Sequence, residues 1–503
     1  MSERTTYLLI AVAPTPNGRL HLGHIGAQFL KLDVLKRHAR RVGDQAMYCF
    51  SLDTLDTPIY ILAQQQGRTE AEVCREYIEG IKQDLENVAI DYDVLLDTST
   101  DEGRQIIRDA MVELDPLVAP RKVPVVEKSA YGRSSGRQLV GRMLAGECPN
   151  CGRTIRGYAC DPCGLFLSAI ENIHNLRAAD PSDPLELRDT TNYFVEADTA
   201  AIRRYHDSLG LPDVTRRKLD EAAALMLGDD RFRTRWTASS PYGIDTGEPG
   251  QVYFNYMLIA VAEQVAFGEL ARETLGLRHH PFEADSDAVT VLAYGADNLA
   301  VFLIDNVAQV LATERYRPFD HQLVSEFYTV DGEKISTSKP NALWVADAAD
   351  LPGFSRDGLR GYLLSVATPD VEVDLSTAAL QEFMAALNPR LERIVAHASA
   401  NPPAVVDPEI LALAGKSVDR QSAALALGHL DLGHLDLPAV WQITEEWVDR
   451  ATTGGSGDQY CVLAGFAVVA APVLPDTAHT VWRLLGPAGE PDRAGLRRLA
   501  DEQ

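Results

Sequence analysis

The stretch that decides the fold is residues 11–24, which read A-V-A-P-T-P-N-G-R-L-H-L-G-H. The apolar run at residues 7–12 leads into it and is short enough to predict one buried strand. Prolines, an asparagine and a glycine then predict a tight turn, and an amphipathic helix follows to about Val42. Because backbone N–H groups and the helix dipole attract anions, this strand, turn and helix N-terminus indicate a polyphosphate site.

Two histidines lie at this turn, His21 and His24. They are three residues apart, so they share one face of the first helical turn, and Gly23 lets an anion approach the backbone closely. A lone H-x-x-H pair is also typical of capping or surface histidines. Here it lies within P-x-P-N-G-x-L-H-L-G-H, which resembles the first signature of class I aminoacyl-tRNA synthetases in the form carried by the methionyl family.

The composition indicates two or three globular domains without a membrane segment. The chain has 503 residues, of which 46% are hydrophobic and 24% are charged. It has no apolar run of membrane-spanning length and no signal-peptide pattern, so we expect a cytoplasmic protein with no membrane partner. The net charge of -25 argues against broad nucleic-acid binding, although a local basic strip still allows a tRNA.

Strand and helix patterns alternate on both sides of a long interruption. A second apolar strand at residues 47–52 ends at Asp53, and Thr57 is expected to cap the next helix with Pro58 in its first turn. This alternation predicts an α/β fold with a doubly wound, Rossmann-type parallel sheet whose ligands bind at the carboxyl ends of the strands.

The chain is expected to divide into five segments. They are the first half of the Rossmann domain at 1–118, a connecting insertion with a zinc knuckle at 119–225, the second Rossmann half at 226–340, a linker at 341–375 and a C-terminal helical bundle at 376–503.

Four cysteines lie in the insertion as C-P-N-C-x8-C-D-P-C. Two CxxC pairs in a chain without a secretion signal indicate metal ligands rather than disulfides. Four thiolates suit tetrahedral zinc, and such a closed site is structural because no position is left for a substrate. The pattern also resembles the knuckle of the methionyl family, and its ligands would be Cys148, Cys151, Cys160 and Cys163.

A second signature lies at residues 331–339, D-G-E-K-I-S-T-S-K, which we call the lid loop. Lysines and hydroxyls after a strand suit a mobile cover over a triphosphate, although such loops are commonly just solvated. The loop resembles the family's K-M-S-K-S loop. The family's second lysine is replaced by Thr337. The resemblance therefore implies that Lys334, together with Lys339 on a changed loop path, would hold the pyrophosphate with Mg²⁺.

The resemblance also implies roles for other residues. Asp53 lies where the family binds the substrate ammonium group, although it is equally typical of a helix cap, and Y-G-A-D at residues 294–297 resembles the family's I-G-K-D adenosine site. The implied catalytic residues are His21, His24, Lys334 and Lys339; the ATP-binding residues are Pro14, Gly23, Gly295, Asp297, Ile335 and Ser336; and the amino-acid-binding residues are Ala13, Thr15, Asp53, Tyr256 and Phe302.

Several positions depart from the family. A tyrosine, a tryptophan and a histidine of its methionine pocket are replaced by Thr15, Tyr256 and Phe302, which indicates a different bound side chain. The family's A-N-x-Y-x-x-x-x-P-W anticodon run is also missing. At the comparable place, Trp441 and Trp447 are spaced as core residues of a helix.

These observations predict an enzyme that condenses an amino acid with ATP to aminoacyl-AMP. Because pocket, lid loop and anticodon elements all changed, we prefer a small-molecule acceptor, as in the synthetase-like partners of cupins that form hydrazines, with a cupin-type enzyme as a candidate partner. One alternative is a divergent methionyl-tRNA synthetase that charges tRNA. Another is a catalytically silent paralogue that binds RNA or protein, which Thr337 favours and the retained polar residues oppose.

Overall fold

The computed structural model describes residues 4–160, 163, 165–167, 169–228, 230–330, 332–334, 343–368, 371–400, 405–426, 435–453 and 459–501. The first helix starts as a short α1, continues through a π-helical turn at Ile25–Phe29 and ends as α2, where Gly43 adopts the left-handed conformation. The elements of this first region are β1 (Thr6–Ala11), α1 (Leu22–His24), α2 (Leu30–Val42), β2 (Gln45–Leu52), α3 (Thr57–Gln66), α4 (Glu70–Glu86), β3 (Val94–Asp97) and α5 (Asp101–Val118).

An insertion built mainly from antiparallel strands follows. Its long strands β4 and β9 pair with each other, flanked by β5 and β10, and a smaller sheet has the order β7-β6-β8. The elements are β4 (Lys122–Gly132), β5 (Gln138–Leu139), β6 (Leu144–Glu147), β7 (Thr154–Arg156), β8 (His174–Ala178), β9 (Leu185–Asp198), α6 (Thr199–Ser208), α7 (Asp213–Met226) and β10 (Arg231–Arg235).

The chain then returns to the main sheet and ends in helices. Three short strands lead into it: β11 (Thr237–Ala238), β12 (Ile244–Asp245) and β13 (Val252–Tyr253). The second half comprises α8 (Asn255–Leu275), β14 (Val289–Gly295), α9 (Asn306–Ala312), β15 (His321–Ser325), β16 (Tyr328–Val330), β17 (Glu333–Lys334), α10 (Val345–Ala349), α11 (Arg356–Val366) and β18 (Val373–Leu375). The C-terminal helices are α12 (Thr377–Ser399), α13 (Pro408–Ala424), α14 (Leu437–Thr453), α15 (Gln459–Ala470), α16 (Pro475–Leu485) and α17 (Arg493–Asp501).

The main sheet has five parallel strands in the order β15-β14-β1-β2-β3. From β1 the chain moves outward through β2 to β3, and it later returns on the other side of β1 through β14 to β15. The strand order therefore reverses between β1 and β14, and a crevice opens at their carboxyl ends. The predicted doubly wound parallel sheet, cysteine-bearing insertion and helical C-terminal region are confirmed. Among the residues described, no helix is long and apolar enough to cross a membrane.

The central strand explains the apolar run in the sequence. Tyr7 and Leu9 pack into the core on one face of the sheet, while Leu8 and Ile10 pack into the core on the other. A strand covered on both faces needs apolar residues at every position, and all six residues of β1 are buried.

The predicted cap of α3 is wrong by one residue. Asp56 is the N-cap and its carboxylate accepts the N–H of Thr57 at 2.7 Å, so Thr57 is the first helical residue. Aspartate is the stronger N-cap of the two, but both residue types can cap a helix, and Pro58 in the first turn is compatible with either start.

A buried ion pair joins the Rossmann domain to the C-terminal helices. Asp33 of α2 accepts Arg360 Nη2 of α11 at 2.7 Å and Arg37 Nε at 2.9 Å, and the side chains of Asp33 and Arg360 are fully buried. Burial alone would raise the pKa of Asp33, but the two guanidinium groups outweigh it and hold the pKa below its usual value. Arg360 also donates to the carbonyls of Val473 and Pro472.

We predict that Asp33→Asn lowers the free energy of unfolding by about 3–5 kcal/mol, because it leaves Arg360 buried without its carboxylate partner. Urea denaturation measures this. Glu446→Gln is the control, since it breaks the exposed pair with Arg420 and should change stability by less than about 1 kcal/mol. Equal effects of the two substitutions would contradict the role of Asp33.

Candidate active site

One buried carboxylate holds the turn that follows β1. Asp84, near the end of α4, accepts Arg19 Nε at 2.8 Å and the backbone N–H of Leu20 at 2.9 Å. Arg19 Nη2 binds its second oxygen, so the pair is bidentate. The Asp84 side chain is fully buried, and it fixes the chain immediately before His21.

The same turn is paired with the segment that follows the lid loop. Leu22 N–H donates to the carbonyl of Leu343 at 2.9 Å, and Val345 N–H donates to that of Leu20 at 3.0 Å. His21 therefore lies opposite Trp344 in a short antiparallel bridge. The first signature therefore meets, at this bridge, a segment that lies more than 300 residues later in the sequence.

His21 and His24 form a reciprocal cap at the start of the helix. The His24 N–H donates to Nδ1 of His21 at 3.2 Å, and the His21 N–H donates to Nδ1 of His24 at 3.3 Å. The two rings stack with centroids 3.6 Å apart. Because each Nδ1 accepts a hydrogen bond, this network assigns the proton of each neutral ring to Nε2, where it can be donated to a ligand.

Burial keeps both rings neutral. It lowers the pKa of His24 to about 4, and burial together with the neighbouring His24 lowers the pKa of His21 well below its usual value. The pair therefore presents neutral N–H donors to an anion rather than positive charges.

The strand β16, which leads into the lid loop, packs directly on this helix. Gly26 is in contact with Tyr328 of β16, where an added Cβ would lie only 2.6 Å from the tyrosine oxygen, so only glycine fits. Thr329 Oγ1 and the N–H of Gly332 donate to Asp374 Oδ1 at 2.7 and 2.8 Å, which anchors the β16–β17 hairpin. Lys334 ends this hairpin. Its side chain and the predicted Ile335, Ser336, Thr337 and Lys339 lie outside the described part of the chain.

The ends of β14 and β2 bring the predicted nucleotide and ammonium residues to the same crevice. At Gly295 an added Cβ would lie 2.8 Å from Asp297 Oδ1, so the carboxylate closely approaches the backbone at the strand end. The N–H of Asp53 donates to the carbonyl of Pro14 at 3.2 Å, which ties the end of β2 to the turn after β1.

These elements enclose a cavity of about 380 Å³, within the size range of small-molecule sites. The predicted site residues that line it are Ala13, Pro14, Thr15, His21, Gly23, His24, Asp53, Gly295, Asp297 and Phe302. Tyr256 lies on α8, but its side chain is outside the described part. A larger open groove of about 930 Å³ between α4 and α16 is lined by none of these residues.

Several polar residues that line this cavity were missed in the sequence, among them three that are buried on its inner side. Glu263 and Gln264 project from α8, and Asn306 begins α9 directly after a π-helical turn at Val301–Asp305. The available signal was a glutamate and a glutamine inside the otherwise apolar run at residues 256–268. That signal does not reveal which other helix faces them.

The insertion also reaches the cavity. Arg142, Arg156 and Ala159 line it, and the N–H of Arg142 donates to Thr57 Oγ1 of α3 at 2.9 Å. Arg142 and Arg156 are exposed, which places them at the rim. The insertion therefore forms part of one wall.

The four knuckle cysteines lie together next to this wall, on the turns that follow β6 and β7. Their sulfur atoms all lie within 4.8 Å of one another, with 3.7 Å between Cys148 and Cys163 and 3.5 Å between Cys151 and Cys160. Tetrahedral zinc–thiolate geometry requires roughly 3.8 Å between sulfurs for a metal–sulfur bond of about 2.3 Å. The donor set and its spacing fit such an ion.

A model of the family described as tRNA synthetases class I (M) matches residues 7–396. This chain belongs to that family.

Two named relatives are similar to this chain in sequence, and one solved structure is similar to it in fold. The methionine–tRNA ligase of Bacillus cereus (strain G9842) is 26% identical over 370 residues, which cover 71% of this chain and 65% of the relative. That of Pyrococcus furiosus is 24% identical over 411 residues, covering 77% of this chain and 55% of the relative. The structure of Mycobacterium tuberculosis methionyl-tRNA synthetase in complex with methionyl-adenylate matches with a TM-score of 0.65 at 16% identity, over 96% of this chain and 94% of that chain. The chain thus spans less than two thirds of the length of the two methionine–tRNA ligases from Bacillus cereus and Pyrococcus furiosus.

We predict that neither histidine of the pair is protonated at pH 5.5 in the ligand-free protein. Because their pKa values are lowered in the folded protein, the unfolded chain binds protons first as the pH falls below about 6.5. The contribution of the pair to the free energy of unfolding is therefore complete above that pH and declines toward pH 4. Histidine-selective ¹⁵N NMR measures both the charge and the Nε2–H tautomer. His21→Asn and His24→Asn assign the signals, and the urea-unfolded chain is the control. A ring that protonates near pH 6.5 would contradict the buried cap.

Proposed function

We propose that this chain condenses an amino acid with ATP to give aminoacyl-adenylate and pyrophosphate. The observation that carries the proposal is the convergence of the histidine cap, Asp53 and Asp297 on one cavity at the switch point of the sheet. Each has a chemical task there: neutral N–H donors for phosphate, a carboxylate for the substrate ammonium and a carboxylate for ribose hydroxyls.

In this reaction a carboxylate oxygen of the amino acid attacks the α-phosphorus, and the bond to the pyrophosphate oxygen breaks. His21 and His24 would donate their Nε2–H groups where negative charge grows on the phosphates. Asp53 would orient the substrate through its ammonium group. Mg²⁺ bound to the ATP phosphates would neutralise charge on the leaving pyrophosphate. The family resemblance assigns that pyrophosphate to Lys334 and the lid loop, including Ile335, Ser336 and Lys339.

We predict amino-acid-dependent ATP–pyrophosphate exchange without tRNA. His24→Asn should lower the exchange rate about 10²–10³-fold, because it removes one preorganised donor to the developing charge. Asp53→Asn should raise the KM for the amino acid most strongly. Glu79→Gln, an exposed position on α4, is the control and should leave exchange unchanged. Exchange that survives both site substitutions would place the chemistry elsewhere.

For the acceptor, the comparisons support the 3′ end of a tRNA better than the small molecule preferred from the sequence, because the named relatives are methionine–tRNA ligases. A small nucleophile is the second candidate. Trp441 and Trp447 of α14 are both buried, and Trp447 Nε1 donates to Ser417 Oγ at 3.0 Å, so neither ring is available to stack on an anticodon base.

One experiment decides between the two acceptors. It compares transfer of the labelled aminoacyl group from the adenylate to total tRNA with its transfer to hydroxylamine compounds. Labelled tRNA supports the first candidate. Transfer to the small nucleophile alone supports the second, and with it the predicted cupin-type partner. If the chain forms no adenylate and binds no ATP, the silent paralogue is favoured instead.

We also propose that Cys148, Cys151, Cys160 and Cys163 bind one structural zinc ion that holds the insertion against the cavity. We predict about one zinc per chain by elemental analysis, and a lower melting temperature after chelation, because the metal stabilises only the folded site. Cys151→Ser should lose the zinc. Cys74→Ser, which changes a buried cysteine outside the cluster, should retain it. Full zinc content in the first variant would contradict the ligand set.

A further inference from the structure

The inner wall of the cavity carries polar groups that the proposed adenylation chemistry does not use. Glu263 and Gln264 of α8 face the cavity together with Asn306 of α9. Their relative exposures are 8%, 2% and 1%, so water does not solvate them as it would surface groups.

Several atoms of this wall have no hydrogen-bond partner within the described part of the chain. They are Oε1 of Glu263, Oε1 of Gln264, and both the nitrogen and the oxygen of the Asn306 amide. Gln264 Nε2 donates to the carbonyl of Arg317 at 3.0 Å, which fixes the side chain and leaves its oxygen unpaired. Buried polar atoms in native proteins are normally paired, so this concentration in one cavity indicates a ligand that supplies donors.

The charges around these atoms define the ligand further. Asp53 and Glu263 are close enough that the Asp53 charge, together with burial as the larger cause, raises the pKa of Glu263 to about 8. Of the basic residues that line the cavity, Arg19 is bound to Asp84, while Arg142 and Arg156 are exposed. A ligand group that reaches the inner wall therefore meets acceptors and the charge of Asp53, and a cationic group there would favour the ionised form of Glu263.

Apolar residues line the path beside these acceptors. Ala260, Leu292, Val301 and Phe302 border the same cavity. Such a lining suits a methylene chain that ends in a polar group. An apolar side chain would leave the wall acceptors unpaired, and an acidic one would meet the Asp53 charge without a basic partner on the inner wall.

We propose that this pocket binds the side chain of a basic amino acid, an amine or guanidine at the end of a methylene chain, with Glu263 as its ion-pair partner and Gln264 as a second acceptor. The inference rests on the proposed adenylation, since it names the class of amino acid that would be activated. In the complex, Asp53 holds the α-ammonium group and Glu263 holds the side-chain cation.

Calorimetric titration with stable sulfamoyl analogues of lysyl-, arginyl-, norleucyl- and methionyl-adenylate tests this. For the wild-type chain we expect the lysyl or the arginyl analogue to bind at least about tenfold more tightly than the norleucyl analogue, which matches the lysine stem without its ammonium group. Equal or weaker binding of both basic analogues would overturn the inference. Tight binding of the norleucyl or methionyl analogue would then leave the proposed adenylation standing.

Glu263→Gln separates a specificity role from a structural one. We expect it to abolish the preference for basic analogues while the affinity for the norleucyl analogue stays unchanged. Glu273→Gln makes the same charge change on an exposed face of α8 and should keep the preference. If Glu263→Gln weakens all four analogues equally, Glu263 supports the fold or the α-ammonium group, and the inference fails. If the wild-type chain binds none of the analogues, the inference fails, and amino-acid-dependent ATP–pyrophosphate exchange then decides separately whether the proposed adenylation stands.

Discussion

The carboxylate of Asp84 is the constraint on which the rest of the site depends. The chain must leave the carboxyl end of β1 and reverse into a helix, and this turn contains prolines and glycine rather than regular hydrogen bonds. By accepting hydrogen bonds from Arg19 and Leu20, Asp84 replaces the missing backbone partners at a fully buried position. The bridge from Leu20 to Val345 and the histidine cap both begin where this turn is fixed.

The sequence was most informative where local chemistry and fold requirement coincide. A strand buried on both faces is mostly apolar, so β1 and β2 could be predicted from their apolar runs. Turn residues mark the start of the first helix. Gly43 marks its end, because glycine readily adopts the left-handed conformation that closes a helix. The cap of α3 escaped prediction because Asp56 and Thr57 satisfy the same local rule.

The inner wall could not be predicted in the same way. Glu263 and Gln264 were visible as polar residues in an apolar helix, but their meaning depends on Asn306, which lies in another element. A π-helical turn at Val301–Asp305 precedes Asn306 and shifts the helical phase by one residue, which periodicity does not reveal. Family membership likewise describes the fold, whereas the substrate specificity depends on a few side chains that project into the cavity.

The distribution of charged side chains along the cavity would orient the two proposed substrates. The chain carries a net charge of -25, yet Arg142 and Arg156 bring positive charge to the rim. The interior holds the Asp53 carboxylate and Glu263, which a bound cation would ionise. A triphosphate is favoured near positive charge and a cationic amino acid near negative charge, so the two proposed substrates would be drawn to different ends of one cavity. Their reacting groups, the α-phosphorus and the amino-acid carboxylate, would then meet between the two ends. The neutral histidine pair lines the same cavity and can donate hydrogen bonds there without adding charge that would disturb either end.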